Sequence, residues 1–136
     1  MRFDTTNPAT KFFFDPADEP AGYVELRVAN QAALDDINET ATKKKAEVRP
    51  NPAAGKRLER IAYVETDERM FMTMLWDYCI VSWAGVEDEK GAPVPCTAEN
   101  KYMLMVNSKQ FKDFISKCLD ELNGIEAAEA EEAGKN

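Results

Sequence analysis

Few side chains in this sequence have types and spacings that could do chemistry. Histidine is absent, which removes the commonest acid-base group near neutral pH and the commonest metal ligand. The three cysteines, Cys79, Cys96 and Cys118, stand 17 and 22 residues apart with no close pair. Structural zinc is therefore not expected, and the thiols should be free in a reducing compartment. Cys96 precedes Thr97 at a predicted helix start, a position that can lower a thiol pKa. With no base in view it reads as a core residue beside the helix cap. Glu87, Asp88 and Glu89 bunch as calcium ligands might, but a calcium loop needs oxygens at alternate positions around a glycine and a closing glutamate. Lys90 sits where a ligand is wanted, so the cluster reads as a charged turn. No glycine-rich phosphate cradle, dinucleotide turn or Ser/Lys dyad is present. The expectation is a non-enzyme, with no catalytic, cofactor-binding or metal-binding residue and no cofactor.

Charge narrows the partners. The chain has 17 cations against 25 anions, a formal −8, which disfavours nucleic acid and anionic lipid. One island opposes this trend: Lys43, Lys44, Lys45, Arg49, Lys56, Arg57 and Arg60 stand among only Glu47 and Glu59, a local +5. No aromatic interleaves them to stack on bases, so the island reads as a solvated helix end and loop, with contact to an acidic protein as the functional alternative. The first 20 residues mix Arg2, Asp4, Lys11, Asp15, Asp18 and Glu19 with apolar ones and do not resemble a signal peptide. No apolar stretch approaches the ~20 residues that cross a bilayer. These features fit a cytoplasmic protein that engages neither membrane nor nucleic acid.

The elements that must position these residues are legible from their periodicity. A length of 136 residues suits one domain, expected over residues 1–124, with an acidic Ala/Glu-rich tail over 125–136. A strand around Phe12, Phe13 and Phe14, closed by Pro16, should pair as a hairpin with a second in which Val24, Leu26 and Val28 alternate with polar neighbours. Asn30 can cap a helix carrying Ala33, Leu34, Ile37 and Ala41 and ending at Lys43, Lys44 and Lys45, where cations suit the dipole. An irregular loop through Pro50, Pro52 and Gly55 then precedes a third strand from Leu58 to Glu65. Thr66 or Asp67 opens the most apolar helix, which carries Trp76 and Trp83 and stops at Gly85; it should be the buried centre. Thr97 begins another helix and Ser108 caps the last, with Phe111, Phe114, Ile115, Cys118, Leu119 and Leu122 on one stripe and Gly124 as its end. That stripe, like Met70, Met72, Met74, Met103 and Met105, reads as core packing, although either could face a partner groove. The fold class is α+β: a small antiparallel sheet from the N-terminal half packed on about three C-terminal helices.

One block carries a resemblance: Leu75-Trp76-Asp77-Tyr78-Cys79-Ile80-Val81-Ser82-Trp83-Ala84-Gly85-Val86, an acidic turn with Asp88 and Gly91, then Pro93-Val94-Pro95-Cys96-Thr97-Ala98-Glu99-Asn100. With the upstream Val24-Glu25-Leu26-Arg27-Val28, it resembles tail assembly chaperones of long-tailed bacteriophages and prophages over residues 22–124. The Phe12-Phe13-Phe14 cluster lies outside the pattern. The resemblance implies a non-catalytic protein that binds the tape measure protein, with the tail-tube protein as a further partner, and keeps it soluble in the host cytoplasm. It would be absent from the mature virion, and the sequence is compatible with a homo-oligomer. A structural virion protein, such as a tail completion or head-tail connector component, is the alternative. In such chaperones a programmed frameshift often appends a longer C-terminal region, and codons for Ala133-Gly134-Lys135 can contain the required slippery heptamer. No partner-binding residue is singled out by the sequence, because every apolar face in it also suits a core.

Overall fold

The computed structural model describes residues 1–134, with side chains described through Gly124. The chain opens with the predicted hairpin: β1 (Thr10–Phe13) pairs antiparallel with β2 (Tyr23–Leu26), Phe12 opposite Val24. Asn30 caps α1 (Gln31–Ala41), its side chain accepting from the Ala33 amide at 2.9 Å. Ala33, Ile37 and Ala41 form the buried stripe of that helix.

The next segment departs from expectation. Lys43, Lys44 and Lys45 do not end α1, and the stretch through Pro50 is not an irregular loop. Both belong to β3 (Thr42–Asn51), which pairs along its whole length with β4 (Arg57–Thr66), from Thr42 opposite Thr66 to Asn51 opposite Arg57. The tip explains why this closes. The Asn51 side chain accepts from the Ala53 amide at 3.0 Å, Pro52 starts a single 3-10 turn, and Gly55 and Lys56 take left-handed φ of 67° and 61°. That is the short Gly-containing connection an antiparallel ribbon uses. Pro50 is tolerated because a two-stranded ribbon consists only of edges.

Asp67 caps α2 (Glu68–Cys79), accepting from the Met70 amide at 3.1 Å. This helix stops four residues before Trp83, not at Gly85. Ile80 to Ala84 extend as β5 (Ile80–Ala84) along the free edge of β2, giving a sheet of order β1-β2-β5 with Trp83 opposite Val24. β-branched and aromatic side chains suit that half-buried edge better than another helical turn. Thr97 caps α3 (Ala98–Asn107), accepting from the Asn100 amide at 3.2 Å, and Ser108 accepts from the Phe111 amide at 3.2 Å to start α4 (Lys109–Gly134). Gly124 lies within α4 and does not end it. The side chains of residues 125–136, the expected tail, fall outside the described ones.

The architecture is α+β, as expected, but its centre is not α2, where only Cys79 is buried. The core forms where the sheet meets α3 and α4. Val24, Leu26, Ile80 and Ile115 are fully covered, Met105 and Cys118 complete the cluster, and Phe12, Phe14, Trp76, Trp83, Phe111, Phe114 and Leu119 pack around it.

Candidate interaction surface

Among the described residues, two of the surfaces outside the core stand out as able to receive a partner. The first surrounds the tilted pair Phe14 and Phe114, whose ring centroids are 5.2 Å apart. β1 and its turn deliver Phe14, and α4 delivers Phe114 from the stripe that also buries Ile115. On one side of the pair lies an open cleft of about 340 Å³, floored by Leu104, Val86 and Phe111 and edged by Glu87 and Gln110. On the other side, a second cleft of about 360 Å³ runs past Phe12, Phe13 and Pro16 to Lys117 and Glu121. Apolar floors with a few polar groups at the rim suit amphipathic chain segments. Trp83 holds one wall in place. Its ring stands edge-on to Phe111 at 5.8 Å, and its Nε1–H donates to the Val94 carbonyl at 2.8 Å, fastening the proline-stiffened bridge to the sheet.

The second surface is the β3/β4 ribbon. Every residue of β4 is exposed, and the ribbon joins the body at its root, where the Asp67 amide donates to the Ala41 carbonyl at 2.8 Å and the hydroxyls of Thr42 and Thr66 lie 3.1 Å apart. Period-two alternation divides its side chains between two faces. One face carries all three of its anions, Glu47, Glu59 and Glu65, together with Lys43, Lys45, Arg49 and Arg57 and the exposed Ile61 and Tyr63. The opposite face shows Val48, Leu58 and Val64, which are 57%, 71% and 65% exposed, with Lys44 and Arg60 as its charges. The basic island is thus a ribbon with one apolar, cationic face.

The residues that invited chemical readings are dispersed. Cys96 is half-buried, and desolvation pushes its thiol above the usual range against the opposing pull of Lys101 and the Trp83 backbone amide. Burial likewise raises Cys79, and Cys118 is pushed up to about 11 by burial and by Glu121. A reactive cysteine requires the reverse. Glu87, Asp88 and Glu89 do form a turn: Asp88 accepts from the amides of Lys90 and Ala92, each at 2.9 Å, and Glu87 bridges to Pro93. No group of three or more Cys, Asp or Glu that could hold a metal occurs among the described residues. No helix among them is long and apolar enough to cross a membrane. The methionines divide: Met105 is buried, Met72 and Met74 are half-buried, and Met70 and Met103 are exposed.

Sequence reasoning missed one polar centre. Lys101, buried, places Nζ 2.8 Å from the Asp77 carboxylate and 3.3 Å from the Asp77 carbonyl, tying α3 to α2. The visible signal was an aspartate within the most apolar helix. Beside it Arg27 lies over the Tyr78 ring, 3.8 Å from its centroid, and donates to the Tyr78 carbonyl at 2.8 Å.

No curated protein and no solved structure matches the chain. A family does match, over residues 22–136, so that β1 lies outside the match while the sheet centre, the ribbon and all four helices lie within it. With most of its 136 residues so matched, the chain belongs to the YdaY prophage protein family.

Proposed function

We propose that this prophage protein is a tail assembly chaperone that binds the tape measure protein and keeps it soluble until tail-tube subunits assemble around it. The observation that carries the reading is the pair of adjoining apolar clefts divided by Phe14 and Phe114, which the described side chains leave open. An amphipathic helix laid across that ridge would bury its apolar residues in both clefts and meet Glu87, Gln110, Lys117 and Glu121 at the rims. The resemblance of residues 75–100 to such chaperones supports the same reading. The mechanism is reversible holding in the host cytoplasm, with no turnover, and the protein would be absent from the finished particle.

Co-expression with the tape measure protein tests this. The client should remain soluble and co-purify only when the chain is present, and Gln110→Lys at the cleft edge together with Val86→Asp on its floor should lose the client while preserving the circular dichroism spectrum. A client equally soluble without the chain would overturn the proposal. The exposed ribbon favours a second reading, a structural virion component such as a tail completion or head-tail connector protein. Abundant copies in purified virions by mass spectrometry would select that reading.

A further inference from the structure

A two-stranded ribbon standing alone in water is marginal, because neither face is covered. Here the ribbon has ten residues in each strand and leaves Val48, Leu58 and Val64 exposed on one face, so something covering that face would stabilise it. Charge indicates what. Residues 42–66 hold seven cations and three anions, a net +4, whereas the whole chain is −8, so the other 111 residues carry −12. The apolar face itself carries Lys44 and Arg60 and no anion. Two such faces would repel one another, which argues against a symmetric ribbon-on-ribbon dimer. The body of a second copy is of opposite sign. It also has a cleft to match: about 340 Å³ between α1 and α2, floored by Ala33, Ile37, Met74 and Tyr78, with Arg27 over Tyr78 in its wall and Asp36 and the Lys101-paired Asp77 at its edge, so its uncompensated negative charge comes from α1. α1 adds Asp35 and Glu39, both exposed, and contains no cation.

We propose that the β3/β4 ribbon is a docking arm whose apolar, cationic face seats on the acidic α1/α2 face of a second copy of this chain. Because arm and cleft are different surfaces of one molecule, the contact closes either by reciprocal exchange of arms in a two-fold dimer or by head-to-tail repetition into rings or open chains. It stands independently of what the Phe14 clefts hold.

Sedimentation velocity on the purified full-length chain, with circular dichroism as the folding control, tests the arrangement. At low salt the wild type should sediment as species larger than 15.3 kDa, shifting toward monomer as salt screens the contact. The arm variant Lys44→Glu/Arg60→Glu and the cleft variant Asp36→Lys/Glu39→Lys should each be monomeric alone and associate again when mixed. All four positions are exposed, so both variants should keep the wild-type spectrum. A wild type that is monomeric at every salt and concentration overturns the proposal, as does association that survives the arm variant. Efficient disulfide cross-linking of Leu58→Cys to itself would place ribbon on ribbon and also refute it. A monomer that instead retards duplex DNA with strong salt dependence would assign the arm to phosphate rather than to a second copy.

Discussion

Gly22 and Gly85 lie back to back where β2 begins and β5 ends, and a methyl group on either would land on the carbonyl oxygen of Ala84 or Ala21, respectively. Gly85 also has φ of +76°, whereas Gly91, at +80°, has open space around it apart from the Glu87 carboxylate at 4.0 Å. Comparing them separates backbone strain from collision. Gly91→Ala should cost about 1–2 kcal/mol, the ordinary penalty of a left-handed non-glycine residue. Gly85→Ala should exceed the roughly 1–3 kcal/mol of strain alone, because the strand backbones must also part. Urea midpoints at unchanged m-value would check the order, and equal losses would refute the close approach. Cys118 carries a second residue-scale expectation. Burial raises its folded-state pKa from 9.0 to about 11, so the thiol's contribution to stability is complete below 9.0 and is lost as pH climbs toward 11. The stability advantage of wild type over Cys118→Ala should therefore shrink across that window and stay constant below it.

At the scale of elements, the helix starts were the most legible features. Asn30, Asp67, Thr97 and Ser108 each accept a hydrogen bond from the amide three residues on, because capping depends on local sequence alone. The β1/β2 hairpin and the stripe on α4 were legible for the same reason, since alternation and four-residue spacing are local patterns. Partner choice across long separations was not. β5 reads as a continuation of α2 until β2, more than fifty residues earlier, offers its edge to Ile80 and Trp83. Lys43, Lys44 and Lys45 suit a helix end as well as they suit an exposed strand, and only the pairing with β4 decides between them. The Phe14 clefts were illegible because β1 and α4 lie about a hundred residues apart. The Lys101–Asp77 pair belongs to this scale too, since it joins α3 to α2. Asp77→Ala leaves the ammonium with the Asp77 carbonyl at 3.3 Å as its remaining partner. Because Asp77 is half exposed, the loss should be about 2–3 kcal/mol, below the ~3–5 kcal/mol of a fully buried broken pair. Lys101→Met removes the buried charge, lets Asp77 turn to water, and should stay within about 1 kcal/mol of wild type. If Lys101→Met were the worse variant in chemical denaturation, the pair would be stabilising α2 against α3 directly.

For the whole molecule, the ribbon and the body divide the work of folding unequally. The core gathers β1, β2, β5, α3 and α4, and the ribbon contributes none of its side chains to it. Nor is the ribbon needed to bring α1 and α2 together. Their junction is fixed at the root by Ala41 and Asp67, with Ala33 and Ile37 buried above it. Thr42 and Thr66 face one another across a single strand spacing, so a short turn can bridge them without moving either helix. Replacing residues 43–65 by a four-residue Asn-Gly-containing turn shortens the loop that folding must close, a gain that grows only logarithmically with length. It also removes a ribbon that exposes Val48, Leu58 and Val64 to water. The shortened chain should therefore unfold in one cooperative transition, with a midpoint within a few degrees of the monomeric wild type, and its circular dichroism should lose strand signal while keeping helix. A chain that fails to fold without the ribbon would mean that the body depends on contacts made along the arm and not only at its root.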